Sequence, residues 1–217
     1  MIMLRPFDLA TLRLYNRPGR FYHTAHHVLE LLELHETGMT RGVHVPGYIR
    51  PNFGMYDPAL ISAIVAHDCV YKPGAPKGQN ETASVQAWRD MVRASPQGVA
   101  AEWDTAVEKI IMATVDHIPP APSSETSIIV HDAIKHMIDL DMSVLAADPA
   151  EFEQNTENVR LEANYGLTLG IAWMDFKRAR NVFFQSVLDQ PSIFFTPQFH
   201  VALEEKARHN LRTAIAG

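Results

Sequence analysis

The sequence predicts an all-α fold, and three observations support this prediction. Apolar residues recur at intervals of three and four along most of the chain, which places them on one face of a helix. Proline and glycine interrupt this pattern and mark helix ends, whereas no segment shows convincing strand alternation. The chain has 217 residues, enough for one sizeable core and marginal for two domains, so we expect a single domain over residues 1–217.

Clear stop signals separate the expected helices. Pro18-Gly19 follows the first helix, residues 72–78 follow the third, and the proline-rich segment 118–124 follows the fifth. Proline cannot continue a helix, and glycine favours the position just after one. In chain order we expect helices at about residues 7–17, 22–34, 59–71, 80–92, 99–117, 125–140, 149–165, 168–189 and 196–215.

The segment 38–56 interrupts the helical pattern with repeated glycines and prolines. A connection of this length without a pattern of its own is uncommon inside a compact domain. Its aromatic residues Tyr48 and Phe53, with Tyr56 at its end, indicate that it packs against something. Two alternatives remain open from the sequence, namely the mouth of a pocket and another subunit.

Composition narrows the class of protein. The net charge is −6 and the basic residues form no run, which argues against binding a nucleic-acid polymer. The single cysteine, Cys69, excludes an internal disulfide and fits a reducing cytoplasm. Charged residues interrupt the apolar ones in residues 1–16, and no apolar run is long enough for a membrane span, so we expect a cytoplasmic protein without a signal peptide.

The sharpest anomaly is His67-Asp68, which follows the apolar stretch 59–66. We expect that helix to bury one face, and a buried carboxylate needs a partner or a metal ion. No basic residue lies in the four positions before the pair. Taken alone, such a dipeptide is more often an ordinary surface or capping pair. One ion can contact both side chains only near a helix end or between helices.

Two further clusters carry the same kind of side chain. His23 and His27 are four residues apart, so they share one face of a helix, and His27 borders an apolar stripe. A solvated histidine cluster with one core histidine is the alternative. Asp139 and Asp141 lie among apolar neighbours, where either they cap a turn or one of them binds a metal. On a continuous helix they would point about 200° apart, and Asp141 also fits the buried side by period.

The three clusters lie on three different expected helices. Two imidazoles and two carboxylates suit a divalent ion such as Mn, Fe, Co, Ni or Zn, and Mg is a further candidate. All-helical folds commonly place such ligands on facing helices in the core.

The order His, His-Asp, Asp resembles the HD superfamily of metal-dependent phosphohydrolases. Residues 22–27 are similar to the Tyr-His-Asn-x-x-His motif of its cyclic nucleotide phosphodiesterases, with Thr24 in place of Asn. The chain further resembles a bacterial family of predicted HD-domain phosphohydrolases, from which it departs at 38–56 and at Ala163. The segments that carry this resemblance are 20–24, 66–71, 80–84, 113–117, 139–145, 159–162 and 204–211.

The resemblance implies an HD-type helical bundle and a role for each matching residue. The metal ligands it implies are His27, His67, Asp68 and Asp139. It makes His23 the acid that protonates the leaving oxygen, and Asp141 or Glu81 could orient the attacking water. Apart from the resemblance, Arg20, Lys72 and Lys77 could bind phosphate charge that is not transferred, although a solvated loop lysine is the commoner case for the last two. His117 is a further candidate for contact with the substrate.

The function that follows is hydrolysis of a small phosphate ester, with a nucleotide favoured. A non-catalytic metal- or nucleotide-binding regulatory module is the alternative. An HD-fold di-iron oxygenase is a weaker one, because it needs further histidines such as His117 and His131. The expected partner is a small-molecule substrate rather than a nucleic-acid polymer or a membrane, and a homo-oligomer is compatible with the sequence.

Overall fold

The fold is all-α, as predicted. The computed structural model describes residues 2–217, and Met1, part of the expected domain and of the segment 1–16, lies outside them. The helices of the described residues are α1 (Pro6–Leu12), α2 (Ala25–Thr37), α3 (Asp57–Ala66), α4 (Gln79–Ala94), α5 (Ala101–Met112), α6 (Ile128–Met142), α7 (Pro149–Asn164), α8 (Trp173–Leu188) and α9 (Pro197–Ala216). None of them is long and apolar enough to cross a membrane.

The organising element is α3, which is buried on every side rather than on the one face expected. All residues from Ala59 to Ala66 are buried. The helix packs against α1, α2, α4, α5 and α6. A helix that is apolar all round has no solvent face to present, so it occupies the centre. The buried apolar residues form one continuous cluster to which each of these helices contributes.

Two helix boundaries differ from the prediction in ways that affect the candidate site. Helix α3 ends at Ala66 instead of near Tyr71, and the chain turns immediately, with the Cys69 amide donating to the Ala66 carbonyl. Helix α6 runs to Met142, two residues beyond the expected end. The early end of α3 gives His67 and Asp68 different directions from those of a continuing helix.

The insertion 38–56 packs on its own chain. It contains a small antiparallel sheet of β1 (Met39–Thr40) and β2 (Val43–His44), a local exception to the expected absence of strands. Gly38 ends α2 with a φ of 70°. Tyr48 packs so closely against it that a Cβ atom added to residue 38 would lie 2.2 Å from the Tyr48 Cβ. The Tyr48 hydroxyl donates to the His35 carbonyl over 2.7 Å, and Phe53 is buried.

The insertion borders a cavity beside His27, which Thr40, Arg41 and Val43 help to line. No described residue of 38–56 lines the cavity next to the His-Asp pair. The aromatic side chains instead cover α2 and α9, where the Tyr48 and Phe199 rings lie 6.1 Å apart. The insertion therefore completes the core and lines this neighbouring cavity, and its two alternatives, a pocket mouth and another subunit, stay predictions.

A pair of buried histidines joins α2 to α6. His35 Nδ1 lies 3.0 Å from His136 Nε2, and the Phe53 and Phe199 rings pack around His136. Burial, with the nearby Arg50 guanidinium, lowers the pKa of His35 to about 4. Burial and the neighbouring His35 hold the pKa of His136 well below its usual range. Both rings are therefore neutral near pH 7.

We predict that the free energy of unfolding falls as the pH is lowered from 6.5 to about 4. In the unfolded chain His35 takes up a proton near its ordinary pKa of 6.5, whereas in the folded chain it does so only near 4. Protons therefore favour the unfolded state across this window, by roughly 3 kcal/mol for His35 alone. Urea unfolding at several pH values measures the slope.

The matched variants are His35→Gln, which removes the titrating ring, and His44→Gln at an exposed histidine. The slope should shrink in His35→Gln and stay as in the wild type in His44→Gln. Equal slopes in all three proteins would show that the buried pair is not the source of the pH dependence.

Candidate metal centre

Three side chains from three helices meet in one buried group that could hold a metal ion. They are His27 in the first turn of α2, His67 directly after α3, and Asp141 near the end of α6. Their ligand atoms lie within 4.8 Å of one another. His27 and His67 are buried, and the Asp141 side chain is 12% exposed.

Local hydrogen bonds aim both imidazoles at this point. The Thr24 side chain caps α2 by accepting from the His27 amide, which fixes His27 in the first turn. His67 Nδ1 lies 2.9 Å from the Ile64 carbonyl oxygen, and because a carbonyl only accepts, Nδ1 must donate. In a neutral ring this tautomer leaves the lone pair on Nε2, the atom that faces the group, as in a metal-ligating histidine.

Two buried nitrogens at the centre lack hydrogen-bond partners. Nε2 of His27 and Nε2 of His67 make no hydrogen bond although both are buried. Asp141 Oδ1 lies 3.4 Å from the first and 3.6 Å from the second. Bonds of about 2.1 Å to one ion would place neighbouring donor atoms roughly 3.0–3.5 Å apart. Two orphaned nitrogens and a carboxylate at these separations fit a divalent ion.

Asp68 lies at the edge of the group rather than inside it. Its Oδ2 is 3.1 Å from His67 Nε2 and 3.7 Å from His23 Nε2. Asp68 therefore lies between the candidate centre and His23. Its role as a ligand, predicted from the resemblance, stays a prediction.

The assignment of Asp139 as a ligand is corrected by the structure, and Asp141 occupies the place expected for it. Asp139 Oδ1 accepts from the Phe195 amide over 2.7 Å, and Oδ2 accepts from the Thr196 amide and hydroxyl. Because α6 continues past both residues, their side chains point about 200° apart. Burial raises the pKa of Asp139 to about 7, although the hydrogen bonds from Thr196 and Phe195 oppose this shift. Asp139 holds the start of α9.

The charges around the centre favour a cation. Burial would raise the pKa of Asp141, but the neighbouring imidazoles of His117, His27 and His67 hold it well below its usual range. Burial would likewise raise the pKa of Asp68, and the neighbouring His67 and His23 lower it. Burial would lower the pKa of His67, yet Asp68 and Asp141 raise it well above its usual range. A metal ion and a proton therefore compete for His67.

His117 supports the centre from the other side of Asp141. Its Nε2 lies 2.9 Å from Asp141 Oδ2, so it can orient the carboxylate while lining the pocket. Its backbone has a φ of 51°, an uncommon conformation for a residue other than glycine. Strained residues of this kind cluster at functional sites. The substrate contact expected for His117 stays a prediction, and the structure adds this orienting contact.

His23 forms a second polar unit in the same pocket. Its Nδ1 lies 2.9 Å from Glu162 Oε2, and its ring stacks on Tyr71 with centroids 3.7 Å apart. The same Glu162 oxygen also accepts from the Tyr22 and His23 amides. Burial would raise the pKa of Glu162, but its contacts with His23 and Tyr22 lower it below its ordinary value. His23 is therefore fixed at one nitrogen while the other faces the pocket.

The structure also shows which expected contacts the pocket lacks. Arg20 donates to the backbone carbonyls of His23, Asp68 and Cys69, so it braces the site instead of facing substrate. Lys77 forms an ion pair with Asp116. Neither Arg20, Lys72 nor Lys77 lines the pocket of about 230 Å³, whereas Glu81 does. The substrate-binding role expected for these three cations stays a prediction, and the contacts of Arg20 and Lys77 do not favour it.

Sequence reasoning missed Glu162 and Arg180. Glu162 falls in one of the segments that carry the resemblance, but no role was derived for it, and Arg180 lines the same pocket. Both are charged residues on amphipathic helices, where a carboxylate or guanidinium is usually a solvated surface group. Only the structure shows that Glu162 contacts His23, which lies 139 positions away in the sequence.

We predict that Asp141→Asn and Asp139→Asn separate metal binding from stability. Asp141→Asn should weaken divalent-ion affinity by more than about 100-fold, since it changes a ligand rather than a supporting group. Asp139→Asn should keep the affinity and lower the free energy of unfolding by about 1–3 kcal/mol, because its amide nitrogen cannot accept the bonds from residues 195 and 196. Titration of the metal against a competing chelator measures the affinity. Urea unfolding of the metal-free proteins measures the free energy of unfolding.

The two variants serve as controls for each other, because each replaces one carboxylate by an amide on the same helix. If Asp139→Asn proved to be the variant that loses metal, the ligand assignment would have to be reversed. Equal affinity in both variants and the wild type would remove Asp141 from the centre.

Comparisons with known proteins add no second line of support. No family model, no curated protein and no solved structure matches the chain. The case for a metal centre therefore rests on the compact group itself, its orphaned nitrogens and the hydrogen bonds that orient them.

Proposed function

We propose that this protein is a metal-dependent phosphohydrolase of a small phosphorylated molecule. The observation that carries the proposal is the pairing, in one pocket, of a group able to hold a metal ion with a separate histidine backed by a carboxylate. Hydrolysis of a phosphate ester needs both an activated water and a proton for the departing oxygen. The motif resemblance to HD phosphohydrolases supports the same reaction class.

His27, His67 and Asp141 would hold the ion, with Asp68 beside them. A divalent ion at this place would supply an acidified water and neutralise charge on the phosphoryl group. His117 keeps Asp141 oriented, and Glu81, which lines the pocket, remains available to position the water. Water then adds to phosphorus, the ester P–O bond breaks, and the leaving oxygen requires a proton.

His23 is placed to give that proton. Glu162 accepts from Nδ1 and orients the ring, as the carboxylate does for the histidine of a catalytic triad. The Nε2 proton then passes to the leaving oxygen. The ring, now neutral, keeps the proton on Nδ1, which stays hydrogen-bonded to Glu162. Tyr71, stacked on the ring, limits its rotation.

The pocket favours a small substrate. Its volume of about 230 Å³ suits a phosphoryl group with the adjoining part of a small molecule. The net charge of −6 argues against a nucleic-acid polymer as the substrate. A nucleotide is the preferred substrate from the resemblance. His131, a possible extra ligand for the oxygenase alternative, bonds instead to the Pro120 carbonyl and does not line the pocket.

We predict metal-dependent phosphate release that is absent from Asp141→Asn. The protein would be stripped of metal, reloaded with Mn, Fe, Co, Ni, Zn or Mg, and screened against nucleotides and other small phosphate esters. Release only with metal, and only by the wild type, supports the proposal. Tight metal binding with no release from any ester would favour the non-catalytic regulatory module.

We predict that His23→Ala retains metal and lowers turnover by about 10²–10⁴-fold, the usual contribution of a positioned acid. The loss should be much smaller for p-nitrophenyl phosphate, whose leaving group needs little protonation. His26→Ala is the matched control, because His26 is a neighbouring histidine whose side chain is 71% exposed, and it should leave turnover unchanged. An equal loss for good and poor leaving groups would limit His23 to a structural role.

A further inference from the structure

Arg180 on α8 lines the same pocket as His23, Asp68 and Asp141. Its Nε is buried and has no hydrogen-bond partner, and none of the carboxylates in residues 2–217 forms an ion pair with it. Its guanidinium carbon lies 5.0 Å and 4.8 Å from the ring centroids of Phe183 and Phe184. Arg180 is therefore a shielded cation whose close partners within residues 2–217 are aromatic rings.

Such a cation is unusual in this chain. Arg89 pairs with Asp104 and Glu108, and Arg208 pairs with Glu204 and two backbone carbonyls. Burial disfavours the charged form of Arg180 and lowers its pKa, and aromatic faces compensate only part of such a cost. A charge left unpaired inside a pocket that also contains a candidate metal centre indicates an anionic ligand.

The neighbours of Arg180 show in which of two cavities its charge acts. The neighbours that interact with its charge are Tyr22 and Tyr71, which both line the pocket of the candidate metal centre. Arg180 also borders a second cavity of about 360 Å³ between α7, α8 and α9, but neither tyrosine lines that one. The charge therefore acts in the metal-centre pocket, and the ion pairs of Asp68 and Asp141 among the described residues do not include it.

We propose that Arg180 is a phosphate subsite that binds a second phosphate group of the substrate, distinct from the phosphoryl group that is hydrolysed. This inference rests on the proposed function and narrows its substrate class to molecules with at least two phosphates, such as nucleoside diphosphates. The planar guanidinium offers a pair of parallel donors that match two phosphate oxygens. The metal centre would neutralise the charge of the reacting phosphoryl group. Arg180 is therefore available to bind the second phosphate group.

The test compares Arg180→Met with Arg178→Met. Arg178 lies on the same helix, its side chain is 75% exposed and it pairs with Asp175, so its replacement removes the same charge outside the pocket. The first readout is sulfate binding to the metal-loaded proteins by calorimetry, which does not depend on turnover. Sulfate should bind about 10- to 100-fold more weakly to Arg180→Met, the effect of losing a charge-assisted hydrogen-bond pair, and as in the wild type to Arg178→Met.

The second readout is kinetic. In Arg180→Met the KM for a nucleoside diphosphate should rise about 10- to 100-fold, while kcat and KM for p-nitrophenyl phosphate, which has a single phosphate, should stay within about twofold. Arg180→Lys keeps the charge but loses the planar fork, so it should give an intermediate loss and replaces Arg180→Met if that variant does not fold.

Equal sulfate affinity in the Arg180 variants and the wild type would overturn the subsite. A matching rise in KM for p-nitrophenyl phosphate would also overturn it, because Arg180 would then act on the reacting phosphoryl group. If the wild type released no phosphate from any ester, the hydrolase would fail, and the sulfate titration would still decide whether Arg180 binds an anion.

Discussion

The Asp141 carboxylate is the interaction on which the candidate site depends. Its two oxygens approach three histidines from separate parts of the chain, His27, His67 and His117. A carboxylate in such a shielded position needs positive charge or a full set of donors. The histidines supply part of this requirement, but two of the nitrogens facing Asp141 have no hydrogen bond of their own. A bound divalent ion would satisfy the carboxylate and both nitrogens together.

The fold provides rigid positions for these groups. Helix α3 is buried on every side and ends at Ala66, so His67 projects from the centre of the core. Helix α6 carries carboxylates with two different tasks, because Asp141 meets the histidines while Asp139 accepts three hydrogen bonds at the start of α9. One helix thereby links the candidate centre to the packing of the C-terminal helix. A loss of metal and a loss of stability can therefore be assigned to different residues.

The all-α class and the approximate helix positions could be predicted from the sequence, because apolar spacing and proline or glycine stops are local signals. His27 and His67 were identified for the same reason, as polar residues beside apolar stripes. The choice between Asp139 and Asp141 followed the motif resemblance, whereas helical geometry favoured Asp141. The sequence predicts too late an end for α3, since Cys69 and Val70 are apolar although the chain already turns after Ala66.

Long side chains were the least predictable part of the site. Arg20 and Lys77 lie near the expected ligands in sequence, yet one bonds backbone carbonyls and the other pairs with Asp116. Glu162 and Arg180 come from α7 and α8, far along the chain, and reach the pocket only through tertiary packing. Sequence spacing carries no information on such directions. The pocket wall opposite the motifs could therefore be identified only from the structure.

The most direct test of the central claim is a crystal structure of the protein grown with Mn, Co or Zn, with anomalous diffraction recorded at the absorption edge of that metal. The account predicts an anomalous peak bonded to Nε2 of His27, Nε2 of His67 and a carboxylate oxygen of Asp141, at about 2.0–2.2 Å. A fully loaded protein whose peak lies at Asp139, at the His35–His136 pair or elsewhere would contradict it.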